Sequence, residues 1–358
     1  MLEFKNVSKT YQGDKPAVED VTLTFNEGEF IVFIGTSGSG KTTCMRMINR
    51  MTEPTSGTIL LNGRDIATMD AVRLRRRIGY VIQQIGLMPH MTIYENVTLV
   101  PSLLKWDEER RRAAAKRLMK RVGLDESFLE RYPAELSGGQ QQRVGVIRAL
   151  AADPEIILMD EPFGALDPIT RDSLQQLIKR LQKELGKTVV FVTHDMDEAL
   201  ALADRIVIMD KGRVVQFDAP ENILQNPANA FVESLLGEDR LNEARLALRT
   251  VDEVMVRDPA LVTSEQSIRD ALRLMRRHRA ETLFVTDPDG VIQGVVDIFD
   301  IEKVSVKQAR QSGRTGREGE RTDLMQDRIE TIMKPASFIA QDTLIRDALH
   351  WIVHLNYR

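Results

Sequence analysis

Gly35-Thr36-Ser37-Gly38-Ser39-Gly40-Lys41-Thr42 is the stretch from which the rest of this chain can be read. It follows the apolar run Phe30-Ile31-Val32-Phe33-Ile34 and precedes an apolar helical run from Thr43 to Ile48. It therefore satisfies GxxxxGK[ST] in the strand, loop and helix context that the pattern requires. The glycines let the backbone wrap closely enough for several N–H groups to point at one phosphate, and the helix that follows adds its positive end. Lys41 is placed to reach the β and γ phosphates, and Thr42 to ligate Mg2+.

Such a loop needs an acidic partner to hold the metal. Ile156-Ile157-Leu158-Met159-Asp160-Glu161 supplies one: an apolar strand ending in two carboxylates, at the edge where a doubly wound sheet takes its ligands. Asp160 is placed to hold Mg2+, directly or through water, and Glu161 to face the attacking water as general base. A strand ending in two acids is common, so this motif gains its meaning beside the phosphate loop.

From residue 1 to about 240, β-branched runs alternate with helical patterns. The runs Phe30 to Ile34, Glu155 to Met159 and Thr188 to Val192 read as buried parallel strands. Between Arg171 and Leu185, Leu174, Leu177, Ile178 and Leu181 recur at spacings of three and four, as on one face of a helix. The pattern predicts an α/β unit with a central sheet covered on both sides. Val21 to Phe25 and Thr58 to Leu61, the latter followed by the hairpin dipeptide Asn62-Gly63, predict a small antiparallel sheet beside it.

Composition narrows the function. The chain has 358 residues, enough for two or three domains, with 49 Lys plus Arg against 53 Asp plus Glu and a formal charge of −4. A nucleic-acid polymer would call for a larger basic field. The basic groups Arg73, Arg75, Arg76 and Arg77, and the run Arg110 to Arg117, read as solvated faces. No apolar run approaches the ~18 residues of a membrane span, so work at a membrane would pass through a partner. The start, Met1-Leu2-Glu3-Phe4-Lys5, lacks the pattern of a secretory signal and predicts a cytosolic chain. The one cysteine, Cys44, lies in an apolar helical run and reads as core packing.

Between the phosphate loop and the acidic strand lies Leu136-Ser137-Gly138-Gly139-Gln140, followed by Gln141-Gln142-Arg143 and an apolar helix. Physically this is a second Ser/Gly-rich helix N-terminus and a second place for an anion. With its position it makes the chain resemble the ATP-binding-cassette (ABC) ATPases. That resemblance covers residues 1 to about 236 and implies a P-loop NTPase fold with a RecA-like core, an antiparallel β subdomain and a helical subdomain. It implies ATP binding by Tyr11, stacked on adenine, and by Gly35, Thr36, Ser37, Gly38, Ser39, Gly40, Lys41, Thr42 and Thr43. Gln83, with Gln84 as a neighbouring candidate, would join Thr42 and Asp160 at the metal and link nucleotide to the transport subunit. Glu161, His194, Gln83 and Lys41 would carry catalysis, His194 touching the γ-phosphate. Ser137, Gly138, Gly139 and Gln140 would close over ATP held by a second copy, with Asp167 at the contact, giving a head-to-tail homodimer.

After Gly237 a charged helix, Glu238 to Arg249, leads to a segment that repeats itself: Val262 to Leu272 is echoed by Ile339 to Leu349. The repeat resembles a tandem pair of cystathionine-β-synthase-type (CBS) modules, an α+β region. The boundaries read as 1–236 for the cassette, 237–250 for a linker helix, 251–304 for the first module, 305–327 for a flexible linker and 328–358 for a second, incomplete module. In such modules Asp300 would contact the ribose of a regulatory adenine nucleotide such as cyclic di-AMP; the chain departs from the usual pattern at Asp297, where Ser or Thr is expected. The basic groups Lys303, Lys307, Arg310, Arg314, Arg317 and Arg321, diluted by Glu318, Glu320, Asp323 and Asp327, read as a solvated linker rather than a lipid-binding face.

A cassette followed by CBS modules, with the stretch Ile78 to Thr92, looks most like the ATPase of quaternary-amine importers for glycine betaine, carnitine or choline. The resemblance implies transmembrane permease subunits that dock on residues 78 to 97, an extracellular solute-binding protein reached through the permease, and a peripheral place on the cytoplasmic face of the membrane. An importer of another small solute, of methionine or proline type, and a non-transport adenylate-sensing cassette are the alternatives.

Overall fold

The computed structural model describes residues 2–13, 15–82, 86–164, 166–247, 249–312, 323–345 and 347–349. Its contacts divide the chain into two units, Met1–Asn242 and Glu243–Arg358. The first opens with the strands β1 (Leu2–Thr10), β2 (Pro16–Phe25) and β3 (Phe30–Gly35), then helix α1 (Lys41–Ile48). The hairpin β4 (Ser56–Leu61) and β5 (Arg64–Asp65) follows, and then α2 (Ala71–Arg76) and β6 (Ile78–Val81). Three helices come next: α3 (Ile93–Leu103), α4 (Glu108–Arg121) and α5 (Gly138–Leu150). Alternation resumes with β7 (Ile156–Asp160), α6 (Pro168–Leu185), β8 (Thr188–Val192), α7 (Met196–Leu202) and β9 (Arg205–Asp210). The unit closes with β10 (Arg213–Asp218), α8 (Pro220–Gln225) and α9 (Ala230–Leu236).

The central sheet has the order β10-β9-β3-β8-β7-β6, parallel throughout except for the antiparallel edge pair β9/β10. Strand β3 lies inside it, and the pleat assigns its residues alternately to two cores. Phe30, Val32 and Ile34 face the cluster built with α3 to α7, while Ile31 and Phe33 face the cluster with α1 and the antiparallel sheet β2-β1-β4-β5. Both faces are covered, which is why the strand reads as a continuous apolar run. Phe25 stitches the antiparallel sheet to the central one, with ring centroids 6.0 Å from Phe4, 6.0 Å from Phe33 and 5.7 Å from Phe217. The expected hairpin forms: Leu61 pairs with Arg64, and Asn62 and Gly63 take φ of 50° and 75°, as a two-residue type I′ turn requires.

The basic group Arg73, Arg75, Arg76 and Arg77 is exposed or partly exposed, as expected, and two of its members also make specific bonds. Arg75 is not simply a solvated charge: its guanidinium donates to the carbonyls of Asn49 at 3.1 Å and Arg50 at 2.6 Å, closing the C-terminal end of α1. Arg77 likewise pairs with Glu155 at the start of β7. By contrast Cys44 is fully buried in the second core, where burial pushes its thiol up to about 12.

The helix α10 (Glu238–Ala247) spans the boundary, and the second unit continues with α11 (Val251–Val254), β11 (Leu261–Thr263), α12 (Ile268–His278), β12 (Thr282–Thr286), β13 (Ile292–Asp297) and α13 (Ile298–Ser312). Its sheet has the order β11-β12-β13, with β11/β12 parallel and β12/β13 antiparallel. Val262, Ile268, Ala271, Met275, Leu283, Val285, Val296, Ile301 and Ile329 form its core. The second repeat joins the first through backbone pairing: Val295 and Lys334 exchange two hydrogen bonds of 2.8 Å. The flexible linker expected over 305–327 is overturned for Ser305–Ser312, which continue α13. Ile301 and Val304 pack on this core just before the extension, and the extension is held by polar side chains, Ser305 Oγ donating to the Ile301 carbonyl at 3.2 Å and Gln308 Nε2 to Asp323 Oδ1 at 2.9 Å. Arg314, Arg317 and Arg321, and the end of the second repeat from His350, lie outside the described residues.

Candidate nucleotide-binding site

The phosphate loop leaves the carboxyl end of β3 and delivers its chain into the N-terminus of α1. At Gly40 the backbone takes φ +102°, and a Cβ there would stand 2.6 Å from the carbonyl oxygen of Ala17, so the loop is pressed against β2 in a form only glycine takes. Lys41 is 7% exposed and folds back along the loop, its Nζ donating to the carbonyls of Gly35 at 2.8 Å and Thr36 at 2.9 Å. Burial pushes its ammonium below the usual range, against the opposing pull of Glu161 and Asp160. The buried Ser39 hydroxyl has no hydrogen-bond partner among the described residues. A loop with an unmatched hydroxyl and a buried ammonium fits a phosphate chain, whose oxygens accept from both.

Across the sheet, β7 brings its acids to the same end. Thr42 Oγ1 donates to Asp160 Oδ1 at 3.3 Å. Burial raises the Asp160 carboxyl above its ordinary range; the Thr42 hydrogen bond opposes this, Glu161 adds to it, and Arg46 and Lys41 draw it back. Among the described residues no group of three His, Cys, Asp or Glu side chains gathers here. A hydroxyl and one carboxylate suit Mg2+, which keeps waters and takes substrate phosphates for the rest of its octahedron.

Glu161 sits just past the strand with φ +43°, in the left-handed region, its N–H bonded to the carbonyl of Val192 at 3.0 Å. This turns its carboxylate off the strand line and toward His194, whose Nδ1 lies 3.4 Å from Glu161 Oε2. His194 is exposed, on the short turn between β8 and α7. Tyr11 is half exposed, and its hydroxyl, held below the usual phenol range by a hydrogen bond to Thr43 and a further one to Thr52, marks it as bordering the start of α1.

Three supporting residues escaped the sequence reading. Buried Glu198 accepts a 2.6 Å hydrogen bond from Thr193 Oγ1, which itself accepts from the N–H of Asp195, so the turn carrying His194 is tied at both shoulders. Burial raises the Glu198 carboxyl. Tyr80 on β6 is raised by burial and by neighbouring Asp160. Arg46, one turn along α1 from Thr42, is a cation near both. The HDxxE spacing could have pointed to Glu198; no local pattern marks the other two.

Ser137 caps α5 through a reciprocal pair with Gln140: its N–H donates to Gln140 Oε1 at 2.9 Å and its hydroxyl accepts from the N–H of Gln140 at 3.4 Å. Gly138 is open, whereas a Cβ on Gly139 would meet the Thr170 methyl at 2.9 Å. Asp167 caps α6, accepting from the N–H of Thr170 at 3.0 Å, ahead of Pro168. Among the described residues no hydrogen bond or ion pair joins these groups to the phosphate loop; each side chain is satisfied locally at an exposed helix end. Gln83 and Gln84 lie outside the described residues. Beyond them, Asn96 is fully buried and bonds the backbone of Met88, Met91 and Thr92, fixing the following segment. Asp300, in the second unit, is buried with Lys334 Nζ at 2.7 Å and Lys303 Nζ at 3.2 Å, and its N–H donates to Asp297 Oδ1 at 2.9 Å. Its carboxylate already holds two ammonium groups.

Among the described residues no helix is long and apolar enough to cross a membrane. A family profile described as ABC transporter matches residues 18–164, and one described as CBS domain matches residues 251–307. The carnitine transport ATP-binding protein OpuCA of Listeria monocytogenes is 54% identical over 358 residues, 100% of this chain and 86% of that protein. The glycine betaine/carnitine/choline transport ATP-binding protein OpuCA of Bacillus subtilis is 56% identical over 303 residues, 85% of this chain and 80% of that protein. The choline transport ATP-binding protein OpuBA of the same organism is 55% identical over 308 residues, 86% of this chain and 81% of that protein. Among solved structures, the ATP-binding cassette MJ0796, in a dimeric post-hydrolysis state bound to ADP and Pi, is 40% identical, covering 62% of this chain and 99% of its own with a TM-score of 0.55. The chain belongs to the family of ABC transporter ATP-binding proteins, and it carries a CBS domain behind its cassette.

Proposed function

We propose that this chain is the ATP-hydrolysing subunit of an importer for quaternary-amine osmoprotectants, the class that includes glycine betaine, carnitine and choline. The observation that carries the ATPase reading is the convergence of Lys41, Thr42, Asp160, Glu161 and His194 at one end of the sheet. The solute class rests on the relatives named above.

On this reading ATP lies along the loop from Gly35 to Thr43, with Tyr11 against the adenine. Lys41 leaves its own loop carbonyls for the β and γ phosphate oxygens, exchanging two neutral acceptors for charged ones. Mg2+, when held by Thr42, Asp160 and Gln83, supplies charge neutralisation at those phosphates. Glu161 accepts a proton from the attacking water and fixes its line of approach, and His194, held by the Thr193–Glu198 pair, steadies the γ-phosphate. Ser137, Gly138, Gly139 and Gln140 of a second copy complete the site, with Asp167 at the contact, so the working form is a homodimer. Binding closes the pair and hydrolysis reopens it.

Permease subunits would receive that motion on residues 78 to 97, at the cytoplasmic face of the membrane, and pass it to a solute-binding protein outside. The second unit would regulate the cycle. An adenine nucleotide such as cyclic di-AMP, contacting Asp300, would have to displace Lys334 and Lys303 first. Uptake by vesicles holding the assembled transporter, assayed with a panel of labelled solutes, tests the reading: glycine betaine, carnitine or choline should be imported with ATP inside. Import of methionine or proline in their place would replace the solute class.

A further inference from the structure

The helix that begins at the Ser137 turn ends at the segment that follows Gln83. Helix α5 has 13 residues and so runs about 20 Å. Its Gln142, Val144, Gly145, Val146, Ile147 and Leu150 are buried, so it moves as a rigid body or not at all. Near its far end Arg148 donates from Nη1 to the carbonyl of Gly86 at 2.6 Å. Gly86 stands in the left-handed region at φ +58°, next to residues 83–85, and the chain is pinned again two residues on, where Met88 N–H donates to Asn96 Oδ1 at 2.7 Å. The half-buried guanidinium keeps its charge, since arginine does not deprotonate in proteins, so the bond is charge-assisted.

We infer that Arg148 is a positioning residue that couples the Ser137 end of α5 to the segment from Gly86 to Thr92 through the Gly86 carbonyl. It is not among the residues assigned to nucleotide, metal or the attacking water. When a second copy's ATP draws on the Ser137 turn, the whole helix responds, and Arg148 hands that displacement to the backbone from Gly86 to Thr92, within the proposed docking region. The inference rests on the proposed role of the Ser137 turn and goes further by naming the link.

Two readouts on the full chain separate this from a plain staple. In Arg148→Met, basal ATP turnover and melting temperature should stay near those of the parent, whereas the increase in turnover on assembly with permease and solute should fall about tenfold, the cost of roughly one lost hydrogen bond to a charged group. Arg148→Lys, which keeps a donor, should recover part of it. In the purified chain without permease, a non-hydrolysable ATP analogue should slow hydrogen exchange at Gly86 to Met91 in the parent and in Arg148→Lys, but not in Arg148→Met. Equal protection in all three, or a Met variant that loses basal turnover and stability together, overturns the inference. A parent chain that shows ATP-dependent protection but no solute-stimulated turnover counts against the importer reading and leaves the link standing.

Discussion

Thr42 and Asp160 stand 118 positions apart in the chain and meet through a 3.3 Å hydrogen bond. The contact exists because β3 and β7 are separated in the sheet only by β8, so the loop after one and the acid at the tip of the other share an edge. It aligns a hydroxyl and a carboxylate on one point before any metal arrives, which lowers the reorganisation needed for chemistry. Thr42→Ala should therefore raise the Mg2+ concentration needed for half-maximal ATP turnover about tenfold or more, with maximal turnover less affected, since one oxygen ligand is lost while Asp160 remains. A titration of turnover against Mg2+ checks this; an unchanged midpoint would remove Thr42 from the metal.

Lys41 is a buried ammonium held by two carbonyls, a costly arrangement in the resting fold. Lys41→Met should lower ATP turnover by about a hundredfold or more, as loss of a main source of charge stabilisation does, while leaving the melting temperature equal or higher. Calorimetry alongside phosphate release tests both halves. A marked loss of stability would mean that the lysine is structural.

Glu198 lies inside the turn that carries His194, and its carboxyl is raised by burial, with Asp195 adding and Thr193, Arg171 and His194 opposing. A carboxyl raised in the folded state favours folding below its ordinary range, and that contribution is lost as pH climbs through the raised value. Glu198→Gln, which keeps an acceptor for Thr193, should thus flatten the fall in stability between weakly acidic and neutral pH. Denaturant unfolding at several pH values measures it; identical slopes for parent and variant would refute the assignment.

In the second unit, burial pushes the Asp300 carboxyl up, but Lys334, Lys303 and Asp297 outweigh it and hold it below its ordinary range. Lys334 is in turn raised by Asp300 and then Asp297. The stabilisation is present above the ordinary carboxylate range and fades as pH falls through the lowered value; on the alkaline side it fades only above the ordinary lysine range. Lys334→Met should lower the melting temperature of the second unit at neutral pH, and the difference should shrink in acid. Thermal scans at both pH values decide. An equal difference in acid would show that packing of the Lys334 stem, not its charge, matters.

The phosphate loop, the acidic strand end and the Ser137 turn were legible because each is a local pattern whose chemistry depends on residues a few positions apart. The hairpin at Asn62-Gly63 was legible for the same reason. What escaped was made by folding: Arg75 closing α1 from 25 residues away, Arg148 reaching Gly86 across 62. The continuation of α13 through Ser312 was not legible because its polar residues carry no apolar period, and its contacts, such as Gln308 with Asp323, are polar ones made by folding. Gln83, legible as a candidate, lies outside the described residues.

The central claim is that Glu161, turned off β7 and facing His194, activates the water that cleaves ATP. Glu161→Gln keeps the shape and removes the base. Single-turnover measurement of ATP bound and phosphate formed by the purified chain tests it most directly: the variant should bind Mg-ATP as the parent does and form phosphate at least about a hundredfold more slowly. Phosphate formation at the parent rate would contradict the account.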